Sequence, residues 1–443
     1  MNTVIPSGFR ALPLPLAQLS LAAVLKCGQS FRWNIFPLPE SSQPSPELST
    51  PTHEYRLCLR DRVVCLRQSS TSLFYRSVLP PTTYGDPEAR EAETLAWIRD
   101  YFQLDVDLKE LYAQWSAADP VFHRLQDRFE GIRMLRQDPF ENLMSFICSS
   151  NNNISRITKM VKGLCQHYSP ALISLPPPSD PTSAEEPYHP FPPPSALAAP
   201  EVSARLRALG FGYRADFIQR TAAMLVEAHG VTQNPKTQME PSEEWLTTLR
   251  TLSTTEARVE LLKFVGVGRK VADCILLMSL DKREVIPVDT HVHQIAVKHY
   301  GLKGAAKTAN MNPKLYEEVS TKLSAVWGEY AGWAHSVLFT SDLKSFASYG
   351  LPSTPSTPSM TPDRTSTSAA STPLAIPLSE TPSSTSSRKR KHLSGRSAKP
   401  SKLLVEVADA LPELTIEVPA YSLAERVKRR RRGAGAVSSG STS

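Results

Sequence analysis

The sequence predicts an α+β protein of 443 residues: an N-terminal antiparallel β-sheet domain at 1–135, an all-helical core at 136–344, and a disordered basic tail at 345–443. Three observations carry this. Tyr55, Leu57 and Leu59 recur at period two, with Arg60-Asp61 as a turn before a second apolar run, the pattern of antiparallel strands. From Glu88 the apolar spacing turns helical and stays so to about residue 344. Beyond it, 26 of the 37 residues at 351–387 are Ser, Thr or Pro, which leaves too little apolar surface to offset the entropy of ordering.

Taken in order, FRWNIF (31–36) and SLFYRSVL (72–79) flank YRLCLRDRVVCLR (55–67) and extend the sheet. SSQPSPELSTP (41–51) is a polar insertion between the first strands. EAETLAWIRDYF (91–102), DLKELYAQW (107–115) and PVFHRLQDRF (120–129) read as helices, and Asp138-Pro139 supplies a cap and a first-turn proline for the next. Residues 174–194 hold nine prolines in 21 positions and are expected to form an extended surface insertion without elements of its own. VADCILLMSL, from Val271, reads as a largely buried helix entered through the tight turn Gly266-Val267-Gly268.

The net charge of +7 suggests a nucleic-acid partner, but its distribution matters. Residues 388–443 carry 13 Lys and Arg against 5 Asp and Glu, a net of +8, and residues 344–387 balance, which leaves 1–343 at −1. Any nucleic-acid contact of the folded part is therefore local. RKRK (388–391) and KRRRR (428–432) fit nuclear import or sequence-independent phosphate contacts, and the more apolar KLLVEVADALPELTIEV (402–418) between them fits either a binding segment or a lightly ordered one. The expected compartment is the nucleus, with the mitochondrion as a further site that the sequence leaves open. Six cysteines form no CxxC pair and no zinc or iron–sulfur spacing, so no metal is expected and free thiols are. With no long apolar run, neither secretion nor membrane spanning is expected.

The chemistry concentrates between Gly266 and His291. Backbone amides at a helix start attract an anion, although a GxG turn alone serves equally as a plain helix entry. Lys270 falls in the first helical turn, where the macrodipole and neighbouring Arg269 both disfavour its charge; it is a candidate amine nucleophile, or a lysine whose stem covers a core stripe. Helical spacing puts Lys270, Cys274 and Met278 on one face. Nineteen residues on, IPVDTHVH brings Asp289 and His291 to another helix start, where an aspartate is most simply a cap.

In combination these motifs resemble the helix-hairpin-helix DNA glycosylases with a GPD-type loop, and among them those acting on 8-oxoguanine. GQSFRW (28–33), LRQDPFENLMSFICSSNNNISRI (135–157), LGFGYRADF (209–217), GVGRKVADC (266–274), PVDTH (287–291) and YAGWAHSVLF (330–339) follow the family pattern in order over most of residues 8–344. The resemblance implies a bifunctional glycosylase and lyase that flips the damaged base out of double-stranded DNA, acts as a monomer and uses no cofactor. Lys270 would attack the sugar C1′ and form a Schiff base that loses the 3′ phosphate by β-elimination, while Asp289 stabilises positive charge on the sugar. The amides of Gly266 and Gly268, with His291, would hold phosphate. The carbonyl of Gly28 would accept the N7 hydrogen that oxidation at C8 creates. Phe339 would stack on the base, with Cys274 and Met278 on the opposite wall. Asn151, Arg156 and Arg214 would fill the gap and read the orphaned cytosine.

Three residues depart from that pattern. Val265 replaces a hairpin proline. Arg269 adds a charge beside the lysine, expected to help hold DNA. His335 stands where the family has glutamine, and with an ordinary pKa near 6.5 it should give excision a pH dependence between roughly pH 5.5 and 7.5. The tail would bind an import receptor or a repair partner. Two other readings are a glycosylase for another damaged base and a non-catalytic DNA-binding module, which would need neither Lys270 nor Asp289.

Overall fold

The computed structural model describes residues 5–39, 50–81, 86–180, 182–302 and 312–351. Most of the 41–51 insertion, and the Ser/Thr/Pro-rich and basic segments from residue 352 onward, lie outside the described residues.

Five strands form one antiparallel sheet: β1 (Arg10–Pro13), β2 (Asn34–Pro37), β3 (His53–Cys58), β4 (Val63–Gln68) and β5 (Ser72–Val78), in the order β1-β5-β4-β3-β2. Tyr55 stands opposite Leu66 and Leu57 opposite Val64, so side chains two apart share a face. That face joins the main core with Trp33, Tyr101, Trp115 and Phe122, and with Trp327 and Trp333 from far along the chain. The main core is therefore common to the sheet, to the helices between 87 and 125 and to the C-terminal helices.

The other face is covered too, and this corrects the reading of the proline-rich segment. Overlapping its start and running into it, Ile173–Leu175 and Glu186–Tyr188 pair as a two-stranded hairpin, β6 and β7. Tyr188 is buried against Phe9, Cys58, Val63, Cys65 and Phe74. Arg56 donates to the Pro176 carbonyl at 2.7 Å and, from the other side, to the buried carboxylate of Glu54 at 2.6 Å. Prolines are compatible with this because so short a hairpin needs few ladder N–H groups, and Pro194 starts the helix Pro194–Ala198.

The Asp138 cap read from the sequence is present, and three earlier helices start in the same way. Asp86, Asp107, Asp119 and Asp138 each accept a first-turn amide. A second core gathers helices Pro139–Ile147, Ile154–Tyr168, Glu201–Ala208 and Arg214–His229 around Arg269–Ser279. That last helix is the seam between the two cores: Cys274 and Ile275 face the second, Leu277 the first, and Met278 packs against both. Among the described residues no helix is long and apolar enough to cross a membrane.

Candidate active site

Helix Thr254–Leu261, the turn and helix Arg269–Ser279 make the hairpin that the sequence indicated. Gly266 has φ +83°, and a Cβ there would meet the Phe217 ring at 2.5 Å, so both conformation and space require glycine. Gly268 is the N-cap of the second helix and has no side chain to bond the first-turn amides. No side chain among the described residues bonds them.

Lys270 leads this helix into a cleft of about 1720 Å³, lined also by Gly28, Asn151, Cys274, Met278, Asp289, His291, His335 and Phe339. Its ammonium sits 5.5 Å from the centroid of the Phe146 ring. Burial works against the charge, but the side chain of Cys274 and the carboxylate of Asp289 outweigh it and hold the lysine pKa above its usual value. Cys274 is itself pushed up to about 11 by burial, so near neutral pH it is a thiol and Asp289 is the charge that favours the ammonium. The expected depression of Lys270 by Arg269 does not occur. The Arg269 guanidinium turns to Asp273 at 3.0 Å and Glu317 at 3.1 Å and stacks over Tyr316, while still bordering the cleft.

Asp289 caps helix Thr290–His299, accepting on Oδ1 from His291 N at 2.9 Å and Val292 N at 3.0 Å. Capping and catalysis are compatible, because no hydrogen bond among the described residues engages Oδ2.

The far wall starts at Gly28, whose φ of +89° and whose 3.0 Å clearance between an added Cβ and Ile154 again demand glycine. Gln29 locks this turn: its side chain donates to the Arg133 carbonyl and accepts from Leu135 N, and its own carbonyl accepts from Gln137. Among the described residues no donor occupies the Gly28 carbonyl. Phe339 lies between two imidazoles, His335 at 6.0 Å and His291 at 6.1 Å between ring centroids.

His335 corrects a second expectation. It is 7% exposed, and neither ring nitrogen has a hydrogen-bond partner. Burial pushes its pKa down to about 4, with Asp289 opposing and Lys270 assisting. It is therefore neutral from pH 5.5 to 7.5, offering one N–H donor and one acceptor toward the cleft.

Arg156 and Arg214 do not line the cleft. Arg156 is exposed and donates to the Gly210 carbonyl at 3.2 Å. Arg214 is 3% exposed and spends its fork on the backbone, Nε on the Ser150 carbonyl at 3.0 Å and an NH2 group on that of Asn151 at 3.0 Å. It clamps the loop that carries Asn151, whose φ is +46°. Beside it Tyr213, 45% exposed, was not singled out by sequence, although an aromatic ring between Gly212 and Arg214 was the signal. His291 faces Asp342 at 3.4 Å, another cleft residue that sequence reasoning missed.

Residues 11–143 match the family described as 8-oxoguanine DNA glycosylase, N-terminal domain, and residues 144–321 match the HhH-GPD superfamily of base excision DNA repair proteins. An N-glycosylase/DNA lyase of Saccharomyces cerevisiae is 34% identical over 351 residues, 76% of this chain and 86% of the yeast protein. An N-glycosylase/DNA lyase of Arabidopsis thaliana is 41% identical over 244 residues, 55% of this chain and 61% of the plant protein. The solved structure of Clostridium acetobutylicum 8-oxoguanine glycosylase/lyase, in complex with double-stranded DNA containing cytosine opposite 8-oxoG, superposes with a TM-score of 0.55 at 26% identity, over 73% of this chain and 91% of that one. Family matches across both halves of the folded chain, a yeast relative aligned over most of its length and a lysine-bearing hairpin opening on a shared cleft agree: this chain belongs to the 8-oxoguanine DNA glycosylase family of the HhH-GPD superfamily and is an N-glycosylase/DNA lyase.

Proposed function

We propose that the enzyme excises 8-oxoguanine paired with cytosine through a Schiff base on Lys270 and then nicks the abasic strand by β-elimination. The observation that carries this is one cleft holding the Lys270 amine, the Asp289 carboxylate and the unoccupied Gly28 carbonyl. The Lys270 ammonium first gives up a proton, which the departing base takes up; the freed amine nitrogen bonds to C1′ as the C1′–N9 bond breaks and its electron pair leaves with the base. Transfer of a proton from that nitrogen to the ring oxygen opens the sugar to the imine, and loss of a proton from C2′ expels the 3′ phosphate. The Asp289 carboxylate opposes the positive charge that gathers on the sugar as the base departs.

Intact guanine presents a lone pair at N7, whereas 8-oxoguanine presents N–H. The Gly28 carbonyl accepts the second and is left unsatisfied by the first, a difference of about 1–3 kcal/mol. His335, neutral and unpaired, is available to one donor or acceptor on the same base. Arg214 serves opposite-strand reading through the Asn151 loop that it holds.

The test is a duplex with one 8-oxoguanine opposite cytosine, incubated with borohydride. Wild type should cross-link and nick. Lys270→Gln should retain binding and lose both; cross-linking that persists in this variant removes Lys270 from the role. The basic clusters at 388–391 and 428–432 support nuclear import, checked by the location of a fluorescent fusion with and without residues 388–432.

A further inference from the structure

Asp273 lies one residue before Cys274 on the Lys270 helix and is 1% exposed. Three donors converge on its carboxylate: Arg258 from the first hairpin helix at 2.7 Å, Arg269 at 3.0 Å, and the Tyr316 hydroxyl at 2.7 Å. Tyr316 belongs to helix Pro313–Trp327, is 4% exposed and borders the cleft. Its oxygen also accepts the Val288 N–H at 3.0 Å. Val288 is buried and immediately precedes Asp289, and Pro287 before it has no N–H to offer. One hydroxyl therefore bridges the helix that carries the nucleophile and the loop that carries the carboxylate.

We propose that Tyr316 is a positioning residue that sets the distance between Lys270 and Asp289. It touches neither base nor sugar; it acts through Asp273 on one side and the Val288 amide on the other. Leu277 and Met278 of the Lys270 helix pack in the same cluster as Val288 and Val292, but apolar packing has no direction, whereas the hydroxyl makes directed bonds beside both functional residues. The hydroxyl fixes them at both ends: the charged acceptor orients its O–H, and the oxygen is then aligned for a buried amide that has no other partner. A displacement of about 1 Å in a reacting pair can cost on the order of 100-fold in rate.

This inference rests on the Lys270–Asp289 reading of the active site. The test is single-turnover cross-linking to a duplex with a pre-formed abasic site, as a function of pH, together with binding to a duplex carrying a reduced, uncleavable abasic analogue. Because Asp289 helps hold the lysine proton, moving it away should lower the pH at which the rate reaches half its maximum. Tyr316→Phe should lose roughly 10- to 100-fold in maximal rate, shift that profile to lower pH and bind the analogue within about threefold of wild type. Asp273→Asn, which keeps an acceptor oxygen but weakens its hold on the hydroxyl, should fall between. A folded Tyr316→Phe with wild-type rate and profile overturns the proposal; if that variant does not fold, a wild-type rate and profile in Asp273→Asn overturn it instead. Absence of cross-linking in the wild type would sink the Lys270 reading itself.

Discussion

The carboxylate of Asp289 accepts the Val292 amide at 3.0 Å through Oδ1, so the residue assigned to the chemistry also holds the start of its own helix. The two duties can be separated by substitution. Asparagine is as good an N-cap as aspartate, whereas alanine is not, at a cost of about 1 kcal/mol. Asp289→Asn should therefore melt at the wild-type temperature yet lose cross-linking rate, and Asp289→Ala should lose both. Asp289→Asn should also move the rising limb of the pH–rate curve to lower pH, because the charge that favours the Lys270 ammonium is gone. An asparagine variant with wild-type rate and profile would reduce Asp289 to a cap.

His335 predicts a stability effect in place of a catalytic one. Its folded pKa is about 4 against an ordinary 6.5, so between these values the unfolded chain binds more protons than the folded one. Stability conferred by the neutral imidazole is present above pH 6.5 and declines as pH falls toward 4, by up to about 3 kcal/mol. His335→Gln should remove that decline in urea titrations compared at pH 7 and 4.5. Excision by wild type and variant should have the same shape between pH 5.5 and 7.5. A wild-type component titrating in that window, absent from the variant, would mean that the imidazole is not held neutral.

Gly28 concerns discrimination. Alanine at φ +89° is strained, and its Cβ would press on Ile154 at 3.0 Å. Relief has to come from the turn that carries the carbonyl. Gly28→Ala should therefore bring binding to an 8-oxoguanine duplex and to an undamaged duplex closer together, by about 10-fold, with a modest fall in melting temperature. A preserved binding ratio would place recognition of N7–H elsewhere.

How much of this was legible in the sequence can be argued from particular residues. The strand at 53–58 followed from alternation and that at 63–68 from a second apolar run, the helices between 87 and 125 from apolar period, and the helix start at Asp138 from its cap, because these are local properties of a few adjacent side chains. Lys270, Cys274 and Met278 were placed on one face by the helical repeat, and the structure opens that face onto the cleft with Asp289, Gly28, His335 and Phe339.

By itself, then, the sequence determined the order of elements, the hairpin glycines and the residues able to do chemistry, since backbone preference and apolar period are written in neighbouring residues. Only the tertiary structure decided how those residues are charged and to what they are bound. Burial neutralises His335, Cys274 and Asp289 raise Lys270, Asp273 and Glu317 pair with Arg269, and the Ser150 and Asn151 carbonyls absorb Arg214. The proline-rich segment likewise became a hairpin because the outer face of the sheet required cover. Each outcome depends on groups tens or hundreds of residues apart meeting where water is excluded. Desolvation and pairing arise from that meeting, and no local pattern of residues encodes them.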